Sequence, residues 1–187
     1  ELFRLLKPML SAGTPSDVVI KTVPYPETIE FLLPDEQIPG RTDINNKFSS
    51  AWAHELLPEQ AIQAMRRFIE QANGRDSGLF FLNTGGRMNS IPSDATAFFW
   101  RDTKFYLEWS ATWFEDTEEA RNLALVEETR RELAPYTQGS YVNVPDQFIK
   151  DFGHAYYGAN FNRLREVKTK YDPDNVFNFP QSIPPFH

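Results

Sequence analysis

Glu108 is the residue whose setting most invites chemistry. It lies in Phe105-Tyr-Leu-Glu-Trp-Ser-Ala-Thr-Trp113, an aromatic-rich stretch with the alternation of a strand, and strand interiors disfavour Glu. Burial there would raise the carboxyl pKa and make it a proton acceptor or a hydrogen-bond partner; the plain alternative is a solvent-exposed acid. Tyr106, Ser110 and Thr112 share its face by two-residue alternation. That face is an ordinary wet sheet surface or the floor of a polar pocket. Further along, GSYVNVPD (139–146) is an extended stretch in which Tyr141 and Asn143 fall on one side, so that a phenol and an amide could converge on a ligand. Asp146 closes it as a helix cap, a role that needs no ligand.

Other chemistries lack residues to carry them. His54, His154 and His187 stand far apart, with no second His or carboxylate at ligand spacing, so no metal is expected. Gly85-Gly86 is a tight turn or a place for backbone to approach a ligand, but it belongs to no GxGxxG or P-loop pattern. No GxSxG, HExxH or paired glycosidase signature occurs. The absence of Cys excludes a thiol nucleophile or Cys-zinc site within these 187 residues. A formal charge of −7 removes the general attraction to phosphate backbones, and nucleic acid is not an expected partner. No run approaches the roughly 20 apolar residues of a membrane helix, so no membrane partner is expected either.

The elements that must hold these groups follow from periodicity. Leu2, Leu5, Leu6 and Leu10 stripe an opening amphipathic helix, and a start at Glu1 inside that helix reads as cut from something longer. DVVIKTV (17–23) and ETIEFLL (27–33) read as strands, and 34–46 as a loop. From Pro58 a helix carries Ile62, Met65, Ile69 and Ala72 on one stripe and stops at Asn73-Gly74. Residues 78–84, then 95–113 with a turn at Asp102-Thr103, read as three strands of an antiparallel meander. Phe105, Leu107, Trp109, Ala111 and Trp113 form the core face of the last strand. A helix follows over 117–134, then shorter ones near 146–156 and 160–170, and a tail that keeps Val176, Phe177, Phe179 and Ile183. The fold class is α+β: an antiparallel sheet with helices covering one face, ending in two short helices and an irregular C-terminal strap.

Tyr141-x-Asn143-x-x-Asp146, Tyr156-Tyr157-Gly158-x-Asn160-Phe161-x-Arg163-Leu164-x-x-Val167-Lys168, Tyr171-Asp172-Pro173-x-Asn175-x-Phe177 and Gln181-Ser182-Ile183-Pro184 together resemble the carboxy-terminal signature of the berberine-bridge-enzyme-like flavin oxidases. TGGRMNSI (84–91), TAFFWR (96–101) and FYLEWSATW (105–113) are similar to that family's Gly-Gly turn, its Phe-rich strand ending in Arg and its substrate-domain strand. Val144-Pro145 departs from the more usual pair at that place. The resemblance implies a substrate-binding domain over 1–138 and a berberine-like segment over 139–187. It also implies FAD, held mainly by a flavin domain outside this chain, in the same polypeptide or a paired chain.

The resemblance further implies an FAD-dependent oxidase or dehydrogenase acting on a hydroxyl-bearing carbon of a small-molecule substrate, a sugar or secondary metabolite. Tyr141 is similar to the family's tyrosine base and Glu108 to its variable acid or amide, while Tyr141, Asn143 and Asn160 resemble positions lining the flavin. The expected step is proton removal by Tyr141, aided by Glu108, as hydride leaves for flavin N5; which of the two is the base stays open, since a phenol of pKa about 10 is a weak base near neutrality. Strand pairing and N-capping are the non-catalytic roles open to Asn143 and Asn160. The alternative for the whole chain is a non-catalytic ligand-binding or assembly module without flavin.

Overall fold

In the computed structural model, which describes residues 1–14, 21–32, 45–72 and 77–186, the opening leucine stripe forms helix α1 (Leu2–Leu10). Tyr25–Leu32 is helix α2, not the second of two strands. Pro26 and Glu27 in its first turn suit a helix start, and a short apolar run cannot by its period distinguish strand from helix. Lys21–Val23 carry no strand; residues 17–20 of that expected strand and residues 34–44 of the expected loop lie outside the described residues, and the loop's last two residues, Asn45 and Asn46, open a strand instead. These helices belong to one compact unit, Glu1–Thr42, and everything below belongs to a second, Asp43–His187.

The second unit is built on a three-stranded antiparallel sheet of β1 (Asn45–Ala53), β2 (Gly78–Asn83) and β3 (Phe105–Trp113), in the order β1-β3-β2. β1 was not foreseen, because Asn45-Asn-Lys-Phe-Ser-Ser carries little β-branched or apolar signal; it forms by pairing along the whole of β3, from Asn45 opposite Trp113 to Ala53 opposite Phe105. The middle strand of the expected meander, over 95–101, is absent. That segment gives its polar groups to the C-terminal part instead: Trp100 Nε1 donates to the Ala155 and Tyr156 carbonyls at 3.1 and 3.2 Å, and Asn160 Nδ2 donates to the Ser93 and Thr96 carbonyls at 2.6 and 3.0 Å.

The face carrying Leu107, Trp109 and Ala111 is the core face, as alternation requires. Helices α3 (Glu59–Gln71) and α4 (Asp116–Leu133) cover it. Trp109 is fully buried and donates from Nε1 to the Val126 carbonyl at 3.1 Å, fastening α4 to β3. On α3 the buried residues are Ala61, Ala64 and Phe68, while Ile62 and Ile69 of the expected stripe are about half exposed. Two alanines let the helix approach closely, and size alone misidentifies the inward stripe. The expected stop at Asn73-Gly74 lies outside the described residues.

After α4 the chain crosses β1 through a Trp52–Gln138 bridge and reaches α5 (Phe152–Tyr157), a 3-10 turn at Gly158–Asn160 and α6 (Phe161–Tyr171). α5 begins six residues later than its expected start at Asp146, which is no helix cap. The Asp146 carboxylate instead accepts from Lys47 Nζ and from the Phe148 amide, the latter at 2.9 Å, and is buried. Tyr156 Oη accepts the Asp146 amide at 2.9 Å and donates to Gln181 at 2.9 Å; Gln181 Nε2 in turn donates to the Asp146 carbonyl at 2.8 Å. One polar cluster thus joins β1, α5 and the tail.

Candidate active site

The opposite face of the sheet is not simply wet. Strand register sets Trp52 opposite Tyr106 and Tyr106 opposite Leu82, and in the next row Ser50 opposite Glu108 and Glu108 opposite Phe80. Tyr106 and Trp52 are buried on this face with their ring centroids 4.8 Å apart. Phe98 and Tyr141 close on them edgewise, Trp52 to Phe98 at 5.4 Å, Trp52 to Tyr141 at 5.8 Å and Tyr106 to Tyr141 at 5.6 Å. Such edge-to-face pairs contribute about 0.5–1.5 kcal/mol each beyond burial. The rings wall a cavity of about 480 Å³, to which Arg101 and the Thr84–Met88 turn also contribute.

Each wall has a local cause. Asn143 follows Tyr141 in a turn closed by the Val144 amide on the Tyr141 carbonyl at 2.9 Å, and the Tyr141 amide donates to Ser50 Oγ at 3.0 Å. Trp100 anchors the segment that brings Phe98 and Arg101, and it lies so close to Gly139 that a Cβ there would sit 2.0 Å from the indole. The Gly85-Gly86 turn has φ of 148° and 54° with nothing within 4 Å of either missing Cβ; these glycines serve backbone shape, not close approach. Thr84 and Asn89 tie the turn down through the Thr103 carbonyl, at 2.6 and 2.7 Å.

Two phenols meet here in opposite hydrogen-bond roles. Tyr106 Oη donates to Glu108 Oε2 at 2.6 Å, whereas Tyr141 Oη accepts from Asn143 Nδ2 at 2.9 Å. Burial pushes the Tyr106 phenol far above the ordinary tyrosine value, and the bond to Glu108 and that carboxylate's charge push the same way. The Glu108 carboxylate therefore engages Tyr106, which sequence reasoning placed on its face without giving it a part. Tyr141 and Asn143 converge as their spacing suggested, though within a turn. Asn160 is not brought to them; its amide holds Ser93 and Thr96, and Thr96 Oγ1 accepts from Arg101 at 2.9 Å. Trp52 could not be anticipated without β1.

His54 and His154 are not among this cavity's described lining residues. His154 pairs with Asp151 at 2.9 Å and meets Phe161 edgewise at 5.6 Å. The His54 ring lies 6.3 Å from Trp100, and His187 is outside the described residues. Among the described residues, no three His, Cys, Asp or Glu side chains could hold a metal ion, and no helix is long and apolar enough to cross a membrane.

Residues 140–184 match the family model described as berberine and berberine like. The chain is 58% identical over 185 residues to YvdP of Bacillus subtilis (strain 168), an uncharacterized FAD-linked oxidoreductase, covering 99% of this chain and 41% of that protein. Among solved structures, CrmK, a flavoenzyme of caerulomycin biosynthesis, superposes with a TM-score of 0.84 at 24% identity, over 99% of this chain and 41% of CrmK. Berberine bridge enzyme from Eschscholzia californica superposes with a TM-score of 0.70 at 26% identity, over 76% of this chain and 33% of that enzyme.

Proposed function

We propose that this chain, which belongs to the berberine-bridge-enzyme-like family, is the substrate-side part of an FAD-dependent oxidoreductase that oxidises a hydroxyl-bearing carbon of a small molecule. One observation carries the reading: an aromatic-walled cavity of about 480 Å³ in which a protonated, carboxylate-bound phenol stands 5.6 Å, ring to ring, from a phenol that accepts a hydrogen bond.

The cavity residues suit the ring end of a flavin. Its walls are aromatic, and Trp52 Nε1 is a buried donor without a partner among the described residues. A flavin domain in the same polypeptide or a paired chain holds the rest of the cofactor. When bound, FAD would supply the two-electron acceptor for oxidation of the substrate's hydroxyl-bearing carbon.

Tyr141 takes the hydroxyl proton. Its oxygen lies at the cavity wall and accepts from Asn143 Nδ2 at 2.9 Å, which fixes its orientation. Tyr106 cannot compete for that role, because burial and Glu108 keep it protonated. Glu108 thus acts through Tyr106, holding its ring as a fixed wall against Tyr141, and Asn143 orients the base. Asn160 acts at one remove, through the loop that presents Arg101.

The test uses the complete protein. An absorbance spectrum and intact mass, before and after denaturation, should show bound flavin. Tyr141→Phe should keep that flavin while lowering turnover about 10²–10⁴-fold, the usual weight of general base catalysis. A colourless protein, or unchanged turnover in Tyr141→Phe, would refute the reading and leave a non-catalytic binding module.

A further inference from the structure

Arg101 is the cationic residue in the cavity wall, and no carboxylate neutralises it among the described residues. Its guanidinium is held in place from behind: Nε donates to the Phe98 carbonyl at 3.3 Å, Nη2 donates to Thr96 Oγ1 at 2.9 Å, and Cζ rests 4.7 Å from the Phe98 ring centroid. Thr96 is itself fastened by Asn160 at 3.0 Å. Other basic side chains of this unit show the contrast, since Lys104 pairs with Glu55, Arg130 with Glu127, Arg163 with Glu166 and Lys168 with Asp172. An oriented guanidinium with unused donors beside an aromatic wall is a receptor for a planar oxyanion, which its fork binds bidentately.

We propose that the substrate carries a carboxylate and that Arg101 anchors it, so that the preferred class is a hydroxy acid. This deepens the redox reading and rests on it for the hydroxyl. The Phe98 ring spans the gap, 4.7 Å from the guanidinium carbon and 6.3 Å from the Tyr141 ring. A compact hydroxy acid laid along it presents its anion to Arg101 and its hydroxyl to Tyr141. Thr96 and Asn160 are positioning residues for the anchor.

Isothermal titration calorimetry on the complete protein tests this without turnover. The probes are 4-(hydroxymethyl)benzoate with its neutral amide, and D-gluconate with D-glucose, so that aromatic and sugar acids are separate arms. At least one acid should bind about tenfold or more tighter than its neutral partner, the scale of a charged hydrogen bond. Arg101→Gln should abolish that preference and leave the neutral compound's affinity unchanged, while Arg101→Lys should retain part of it. The favoured arm identifies the substrate type. Equal binding of acid and neutral compound, a preference surviving in Arg101→Gln, or equal loss of both ligands in that variant would overturn the anchor. Acid-selective binding with no flavin reduction by either acid would keep the anchor and sink the redox reading, so the two failures are distinguishable.

Discussion

Replacing Lys47 with Met should be among the most damaging single changes in the second unit, and its size follows from the surroundings. Lys47 is 5% exposed and its ammonium bonds the Asp146 carboxylate, whose residue is 1% exposed. Once Lys47 is gone, Asp146 keeps the Phe148 amide at 2.9 Å as its donor, while Oδ2 has no partner even in the intact protein. Glu127, 3.6 Å from Lys47, suffers less because Arg130 holds it at 2.9 Å. Removing one member of a buried pair costs about 3–5 kcal/mol. At roughly 2–4 °C per kcal/mol for a chain of this size, the midpoint of thermal unfolding should fall by about 6–20 °C. Urea unfolding followed by far-UV circular dichroism measures the cost, and Lys47→Met combined with Asp146→Asn should recover most of it, because the stranded charge is then removed. A single-variant cost below about 1 kcal/mol, against the range for broken buried pairs, would refute the reasoning; so would a double variant no more stable than Lys47→Met alone.

The buried phenols predict alkaline behaviour. Burial and Glu108 raise the folded pKa of Tyr106, so its contribution to stability is complete below the unfolded value of about 10 and is lost as pH rises beyond it. Unfolding free energy measured at increasing pH should therefore fall less steeply above about pH 10 in Tyr106→Phe than in the unaltered protein; parallel curves would contradict the assignment. Gly158→Ala should destabilise the C-terminal segment, because φ there is +52° and the new Cβ would lie 2.1 Å from the Phe99 ring. Its cost should exceed the roughly 1 kcal/mol of left-handed strain alone, and a loss smaller than that in chemical denaturation would show that Phe99 moves aside freely.

What the sequence made legible was set by how strongly local pattern and final contacts agree. In β3 they coincide: strict alternation from Phe105 to Trp113 gave both faces correctly, and α4 declared itself by acids at its start and arginines at its end. β1 was invisible because its strand character comes from its partner; Ser49 and Ser50 are buried by pairing with Trp109 and Glu108, not by their own preference. Residues 95–101 misled in the other direction. Their aromatic content promised a strand, yet Trp100 turns into the C-terminal helices and Phe99 packs edgewise on it at 5.1 Å. Of the candidate site, Glu108, Tyr141 and Asn143 were singled out by residue type and spacing, while Trp52 and the position of Arg101 in the cavity wall depended on those two misread segments.

The pairing of Tyr106 with Glu108, instead of Tyr141 with Glu108, changes which group can move a proton. Residues two apart on one strand face the same side and reach each other, so β3 alone suffices to form the Tyr106–Glu108 bond at 2.6 Å. A phenol so bound in a buried place loses its proton only with difficulty, because the phenolate would face both desolvation and a neighbouring negative charge. Tyr141 arrives from a different segment, with its own amide donor two residues on, and meets Tyr106 ring edge to ring rather than through a hydrogen bond. The carboxylate's charge is thereby engaged by one phenol, while the other takes its hydrogen bond from Asn143. In the proposed reaction Tyr106 is therefore both wall and insulator, and Tyr141 is the base we propose.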